Sequence, residues 1–338
     1  MLLATLLAFV VRQAPLPYWN LVCGGDIMLN GVSPSVQAFQ GLEVPNDSVF
    51  YANLEIPLTN VPDRTPRKTP QELAARKQFV LKADPAHIQN LAASGIDVVS
   101  LGNNHAMDGT AAGLDQMLGL LDAAGIQHAG AGDNWEAAIK PAIVEAPNGL
   151  KIAFISYLSF LTPDALRKCT PATSTTAGIA TLTLDGKSGD DELARLKAIV
   201  DKARQGADMV VVALHWGIER QPYPAAYQVS LGRLFIDAGA DAVIGNHPHV
   251  LQPAELYKGK PILYSLGNLV NPGGGGAALY QLTYNGTQFQ YATVLPTSYS
   301  SGKVAFSSRN DDATILAEST LLKKFPSDDS SQLLGAPK

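Results

Sequence analysis

Cysteine is nearly absent: Cys23 and Cys169 are the only two in 338 residues. Two thiols cannot build the disulfide framework of a small secreted scaffold, and they leave the redox compartment open. Cys23 falls in the apolar run Leu21-Val22-Cys23 and is read as a small buried hydrophobe without chemistry. Charge is also scarce, at 16% of residues with a formal net charge of −5. That balance offers no general attraction to a phosphate backbone, so nucleic acid is excluded as an expected partner. Membrane-length apolar runs are missing too. The opening MLLATLLAFVV is apolar but far shorter than the ~20 residues of a spanning helix. No Lys or Arg precedes it, so residues 1–18 are read as a shortened secretory signal, an anchor or a plain N-terminal helix. An extracytoplasmic or membrane-associated location is the expectation, with the cytoplasm still open. Two catalytic motifs are lacking as well. Without Gly-x-Ser-x-Gly there is no serine-nucleophile elbow, and without Gly-x-x-x-x-Gly-Lys-Ser/Thr there is no nucleotide P-loop.

What is present is alternation. From about residue 20, β-branched runs at 19–24, 49–53, 97–101, 151–157, 208–214, 242–244 and 261–265 predict strands. Apolar residues at helical spacing, with Gly close after the end, predict helices over 85–94, 110–124, 190–205 and 225–238. Three of these helices turn into a strand in one idiom: Ser94-Gly95-Ile96-Asp97, Gln205-Gly206-Ala207-Asp208 and Ala238-Gly239-Ala240-Asp241. Repeated αβ units of this kind indicate an α/β fold. Residues 19–322 are read as a single domain, and 323–338 as a flexible tail. Two long stretches, 59–75 and 159–180, are read as loops of the kind that wall a site. Arg64, Arg67 and Lys68 in the first are taken as a solvated surface run. After Asn271, the alternation over 279–295 predicts antiparallel strands with a hairpin turn at Tyr284-Asn285-Gly286-Thr287.

Five polar clusters follow five of the predicted strands: Gly25-Asp26-Ile27-Met28, Asn53-Leu54-Glu55, Gly102-Asn103-Asn104-His105, His215-Trp216-Gly217 and Gly245-Asn246-His247-Pro248-His249. In a mostly parallel sheet the carboxyl ends share one edge, so residues distant in sequence converge there. Standing alone, Asp26 could be a turn or N-cap aspartate, and Glu55 a surface charge. With only 6 histidines in the chain, the pair His247 and His249 around one proline at a strand end is the least ambiguous cluster. His215 gains weight from its strand-end position, whereas His87 and His128 lack such company and are read as structural. Carboxylate, amide oxygen and imidazole together suit Mn, Fe or Zn better than Ca or a thiolate metal. So many ligands point to two ions, which would activate a water and offset charge on a phosphoryl or acyl oxygen. A nearby imidazole would protonate the leaving group. Ser265, in Tyr264-Ser265-Leu266-Gly267-Asn268, is read as supporting a neighbouring loop.

In order, the motifs Gly25-Asp26-Ile27-Met28, Ala52-Asn53-Leu54-Glu55, Asn103-Asn104-His105-Ala106-Met107-Asp108, His215-Trp216-Gly217-Ile218-Glu219, His247-Pro248-His249-Val250 and Tyr264-Ser265-Leu266-Gly267-Asn268 resemble the CapA family of poly-γ-glutamate capsule-synthesis proteins. The resemblance spans roughly residues 20 to 271. It implies the calcineurin-like metallophosphoesterase fold, a four-layer αββα sandwich of two mixed β-sheets flanked by helices, with two divalent metal ions. It implies Asp26 and His249 on the first metal, Glu55 as the bridging acid, and Asn104, His215 and His247 on the second, with Asn53 as an additional amide ligand. It further implies His105 as general acid, oriented by Asp108. Met28 stands where the wider superfamily has a histidine, and a thioether is a poor ligand for hard ions, so the first site is expected to be the weaker. The function implied is a metal-dependent hydrolase of a phosphoester or amide bond in the synthesis, release or export of an anionic cell-surface polymer such as poly-γ-glutamate. Two alternatives stand beside it: a non-catalytic, polymer-binding subunit of a membrane-bound synthase, and a general nucleotidase or phosphodiesterase.

Overall fold

The computed structural model describes residues 18–62, 64–65, 67–160, 163–183, 189–274 and 276–307. The expectations for residues 1–17 and for the tail at 323–338 lie outside the described residues. Runs rich in Val, Ile, Tyr and Phe build two sheets. The first has eight strands: β1 (Tyr18–Ile27), β2 (Ser48–Leu54), β3 (Val98–Ser100), β4 (Gln127–Ala129), β13 (Asn268–Val270), β14 (Gly276–Asn285), β15 (Gln288–Ser300) and β16 (Lys303–Phe306). Their order is β16-β15-β14-β1-β2-β3-β4, with β13 also paired to β1. The second has six: β6 (Ala142–Glu145), β7 (Lys151–Ser159), β9 (Met209–Trp216), β10 (Ala242–Asn246), β11 (Ala254–Tyr257) and β12 (Lys260–Leu263), ordered β11-β12-β10-β9-β7-β6. A two-stranded ribbon of β5 (Ala131–Gly132) and β8 (Gly178–Ile179) completes the set. Both large sheets are mixed. Strands β1 to β4 run parallel, as do β7, β9, β10 and β12, while β14 to β16, β6 and β11 pair antiparallel.

Three apolar clusters define the layers. Leu21, Tyr51 and Val98 of the first sheet meet Phe154, Val211 and Ile244 of the second, forming the core between the sheets. On the outer face of the first sheet, α2 (Ile88–Ala93) and α3 (Thr110–Ala123) contribute Leu91, Leu114, Met117 and Leu121 against Phe50, Ala52 and Val99. On the outer face of the second, α6 (Gly189–Ala203) and α7 (Ala226–Asp237) contribute Leu196, Val200, Leu231 and Phe235 against Ile155, Val210 and Val243. The result is the helix–sheet–sheet–helix sandwich. It explains why β9 is buried at all eight of its positions: a central parallel strand covered on both faces needs no polar side. Shorter helices α1 (Pro70–Ala74), α4 (Trp135–Ala138) and α5 (Pro163–Lys168) lie in the connections.

Several strands outrun their predicted ends. β1 continues to Ile27, β9 to Trp216 and β10 to Asn246, so Asp26 and His215 lie within ladders rather than after them. Backbone pairing carries them on: Asp26 stands opposite Asn53 and Asn268, and His215 opposite Leu158 and Asn246. The stretch 59–75, predicted to be loop throughout, contains α1. Thr69 and Glu72 there form a reciprocal capping box with Pro70 at the first turn, a pattern legible in Thr69-Pro70-Gln71-Glu72. The stretch 159–180 likewise contains α5 and β8. The predicted helix at 85–94 opens as a 3₁₀ turn, Pro85–His87, capped by Asp84.

Candidate metal centre

Two glycines let the strand ends close on one another. A Cβ on Gly25 would fall 2.1 Å from the Gly267 carbonyl oxygen, and one on Gly245 would fall 2.1 Å from that of Tyr264. No side chain fits at either place, so each sequence Gly-Asp or Gly-Asn-His delivers its polar residue directly from a backbone–backbone contact. Each contact closes strand ends within its own sheet, and the carboxyl ends of the two sheets meet where the Tyr51 hydroxyl donates to Asn246 Oδ1 at 2.9 Å and the His247 amide to Asp26 Oδ2 at 3.3 Å.

At that meeting point, Asp26 and Glu55 are both fully buried. His249 places Nδ1 3.2 Å from Asp26 Oδ2 and Nε2 3.6 Å from Glu55 Oε1. His215 Nε2 lies 3.6 Å from the same Glu55 oxygen and 3.1 Å from His247 Nδ1. Ligand atoms of Glu55, His247 and His249 all fall within 4.8 Å of one another. His247 and His249 adopt φ of 99° and 58°, a region that costs a non-glycine residue energy and is held only where the surroundings insist. Asn268, paired to β1, fixes one of the rings: its Oδ1 accepts from His249 Nδ1 at 2.9 Å.

The donor set fits a divalent cation. Both carboxylate oxygens of Glu55, and Oδ1 of Asn104, are buried without a hydrogen-bond partner. A buried carboxylate left this way is costly, and native structures pair such groups or give them a metal. The electrostatics agree. Burial, then the neighbouring Asp26, pushes the Glu55 carboxyl well above the usual range. Burial acts most strongly on His249 and lowers its pKa, yet Glu55 and Asp26 outweigh it and lift the ring to about 10. A proton on His249 is thus the cation this acidic cavity recruits, the place a metal charge would take. Burial, then His249, pulls His247 down to about 3, and burial, then His247, holds His215 well below the usual range, so both are neutral, as nitrogen ligands must be. Oxygen and imidazole donors together suit Mn, Fe or Zn.

Beside this group, His105 Nδ1 sits 2.7 Å from Asp108 Oδ2, which leaves Nε2 as the ring nitrogen not engaged by Asp108. Burial, then Lys68, lowers the imidazole's pKa, against the opposing pull of Asp108. Lys68 corrects the sequence reading. Taken as part of a solvated run, it is 4% exposed, forms an ion pair with Asp108, and donates to the carbonyls of Phe79 at 2.8 Å and Asn104 at 3.3 Å. Burying the ammonium is tolerable because Asp108 and two carbonyls replace its water.

Asn53 also stands differently from expectation. Its Oδ1 accepts from Ser100 Oγ at 2.7 Å and Asn103 Nδ2 at 3.2 Å, while Nδ2 donates to Asp26 Oδ1 at 2.8 Å. Both oxygen lone pairs are taken, so the amide anchors Asp26 instead of offering an oxygen to an ion. Ser100 is supported in turn by the Tyr51 hydroxyl, which donates at 2.9 Å. Met28 packs in the apolar cluster under α2 and α3. His87 is buried with its ring nitrogens against the Val32 carbonyl and Asn90, His128 pairs with Asp122, and Ser265 donates to the Val250 carbonyl at 2.6 Å. Lys68, Ser100, Asn103 and Asn268 went unassigned in the sequence. Only Asn103 and Asn268, inside the quoted motifs, carried a local signal.

A cavity of about 470 Å³ opens on the centre, with Asn104, His105 and His247 on its inner wall and Arg76, Phe79 and Ile218 farther out. Phe160, on the same wall, packs 4.8 Å from the His247 ring. Among the described residues no helix is long and apolar enough to cross a membrane.

Residues 20–273 match the family described as bacterial capsule synthesis protein PGA_cap. The chain is 29% identical to the capsule biosynthesis protein CapA of Bacillus anthracis, over 78% of this chain and 60% of that one. It is 33% identical to the PGA biosynthesis protein CapA of Bacillus subtilis (strain 168), over 63% and 54%. A probable polyglutamine synthesis accessory protein of Mycobacterium tuberculosis is 31% identical, over 70% and 59%. The chain therefore spans a little over half the length of these curated relatives.

Proposed function

The chain belongs to the bacterial capsule synthesis protein family PGA_cap, and from that premise we propose that it is a metal-dependent hydrolase acting on a phosphoester or amide bond of an anionic cell-surface polymer such as poly-γ-glutamate. The observation that carries this reading is the buried Glu55 carboxylate, without a hydrogen-bond partner on either oxygen, beside His215, His247 and His249, with Asn104 Oδ1, likewise without one, on a residue that lines the same cavity as His247. Asp26, Glu55 and His249 would hold one ion; Glu55, Asn104, His215 and His247 would hold the other. Bound there, divalent ions would lower the pKa of a water and offset negative charge building on the phosphoryl or acyl oxygen. The protein's own residues do the rest. Asn53 and Asn268 fix Asp26 and His249, and Asp108, itself held by Lys68, orients His105 through Nδ1. A proton taken up from solvent at His105 Nε2, with Nδ1–H held on Asp108, would pass to the leaving atom and return the ring to its neutral form.

The test is hydrolysis of bis(p-nitrophenyl) phosphate and of a γ-linked glutamate oligomer by protein loaded with Mn, Fe or Zn. His105→Ala should keep its metal and lose turnover. Full activity in His105→Ala removes that residue from the mechanism. Absence of turnover with every metal leaves a non-catalytic accessory subunit of a membrane-bound synthase, a reading favoured by Met28, which packs in the core where a nitrogen ligand would complete the first site.

A further inference from the structure

Helix α1 ends in an unusual way. The Arg76 amide donates to the Leu73 carbonyl at 3.1 Å and the Lys77 amide to that of Glu72 at 2.9 Å, the paired bonds that close a helix through one left-handed residue. That residue is Arg76, at φ 53°, where glycine would sit without strain. The helix is also anchored. Its start carries the Thr69–Glu72 capping box, Glu72 pairs with Lys168 of α5, and Lys68 just before it is buried. A strained residue retained on an anchored turn calls for a use of its side chain.

Arg76 and Lys77 both line the cavity over the metal centre, both are exposed, and neither forms an ion pair among the described residues. Glu219, also exposed, lines the same cavity. The same cavity also carries exposed apolar side chains: of the six large hydrophobic residues exposed among the described residues, two, Phe79 and Ile218, lie on its walls. Cations alone would suit a bare anion. Cations beside exposed apolar walls suit an acid carried on a carbon chain. At about 470 Å³ the space takes a short stretch of chain, not a folded partner.

We infer that Arg76 and Lys77 form a carboxylate subsite, holding a free carboxylate borne on a methylene-containing chain next to the bond presented to the metal centre. The subsite makes specificity a matter of charge beside the reacting bond. It deepens the hydrolase reading but needs only binding to be tested.

The experiment measures equilibrium binding of fluorescently labelled tri-γ-glutamate, and of the same peptide with its free carboxylates converted to amides, to metal-loaded protein in the cold. Mass spectrometry checks that the probes stay intact, and KM replaces affinity if they are cleaved. The parent should prefer the acid over the amide by ~10-fold or more. Arg76→Gly should lose that preference while melting no lower than the parent, since it relieves the left-handed strain. Arg76→Gln should lose the preference without the relief, and Lys77→Gln should weaken it in part. Metal content should be unchanged in all three. Equal binding of acid and amide by the parent, no binding of the acid, or an undiminished preference in Arg76→Gly overturns the subsite. Charge-dependent binding without turnover leaves the subsite standing and removes only the hydrolase reading. Turnover indifferent to the carboxylates does the reverse.

Discussion

Replacing Glu55 with glutamine should stabilise the metal-free protein and cut what it gains from metal. Glu55 is fully buried, both of its oxygens lack hydrogen-bond partners, and Asp26 adds a like charge beside it. An unsatisfied buried polar group costs about 1–3 kcal/mol, and more when charged. Removing the charge at nearly constant shape should therefore stabilise the chelator-treated protein by about 1–3 kcal/mol. At ~2 °C per kcal/mol for a chain of this size, that is a rise in Tm of about 2–6 °C. Metal takes back about 2.3 kcal/mol of that advantage. An ion at 100 times its Kd stabilises the parent by ~2.7 kcal/mol, whereas a hundredfold loss of affinity cuts that to ~0.4 kcal/mol at the same concentration. Differential scanning calorimetry with EDTA and with Mn gives all four values. If Glu55→Gln melts below the parent in EDTA and gains as much as the parent from Mn, Glu55 is a structural acid and the reasoning fails.

Other expectations rest on the same geometry. Lys68→Met should cost about 3–5 kcal/mol, because it leaves Asp108 charged and buried. Lys68→Met combined with Asp108→Asn should recover a large part of that loss, and denaturant melts that show simple additivity would contradict the pairing. Both thiols should resist alkylation at pH 8 in the folded protein. Burial pushes Cys169 up to about 12 and Cys23 higher still, so the rate should keep climbing with pH well past 9, where an ordinary thiol levels off. A plateau near pH 9 would show that the thiols are exposed.

The convergence of the site was legible because its members stand at the ends of apolar runs. Val210 to Leu214 can only be an interior strand, and the next residue, His215, is carried to the sheet edge. Glu55, His247 and His249 were placed by the same logic, without knowledge of the intervening chain. What stayed hidden depended on partners far away in sequence. Lys68 lies in a basic, proline-rich stretch that reads as solvated, and only Asp108, 40 positions later, makes its burial possible. Asn53 was visible as an amide, but which of its atoms faces Asp26 is set by Ser100 and Asn103. Strands as short as β4 and β6 lack enough residues to show a period. The left-handed turn at Arg76 was hidden for the opposite reason, since a helix usually signals such an ending with glycine.

Anomalous diffraction from crystals grown with Mn tests the central claim most directly. The expected result is a strong peak within coordinating distance of Glu55, His247 and His215, with a second, weaker one beside Asp26 and His249. A map with no anomalous peak among these side chains, at Mn concentrations that stabilise the protein in solution, would contradict it.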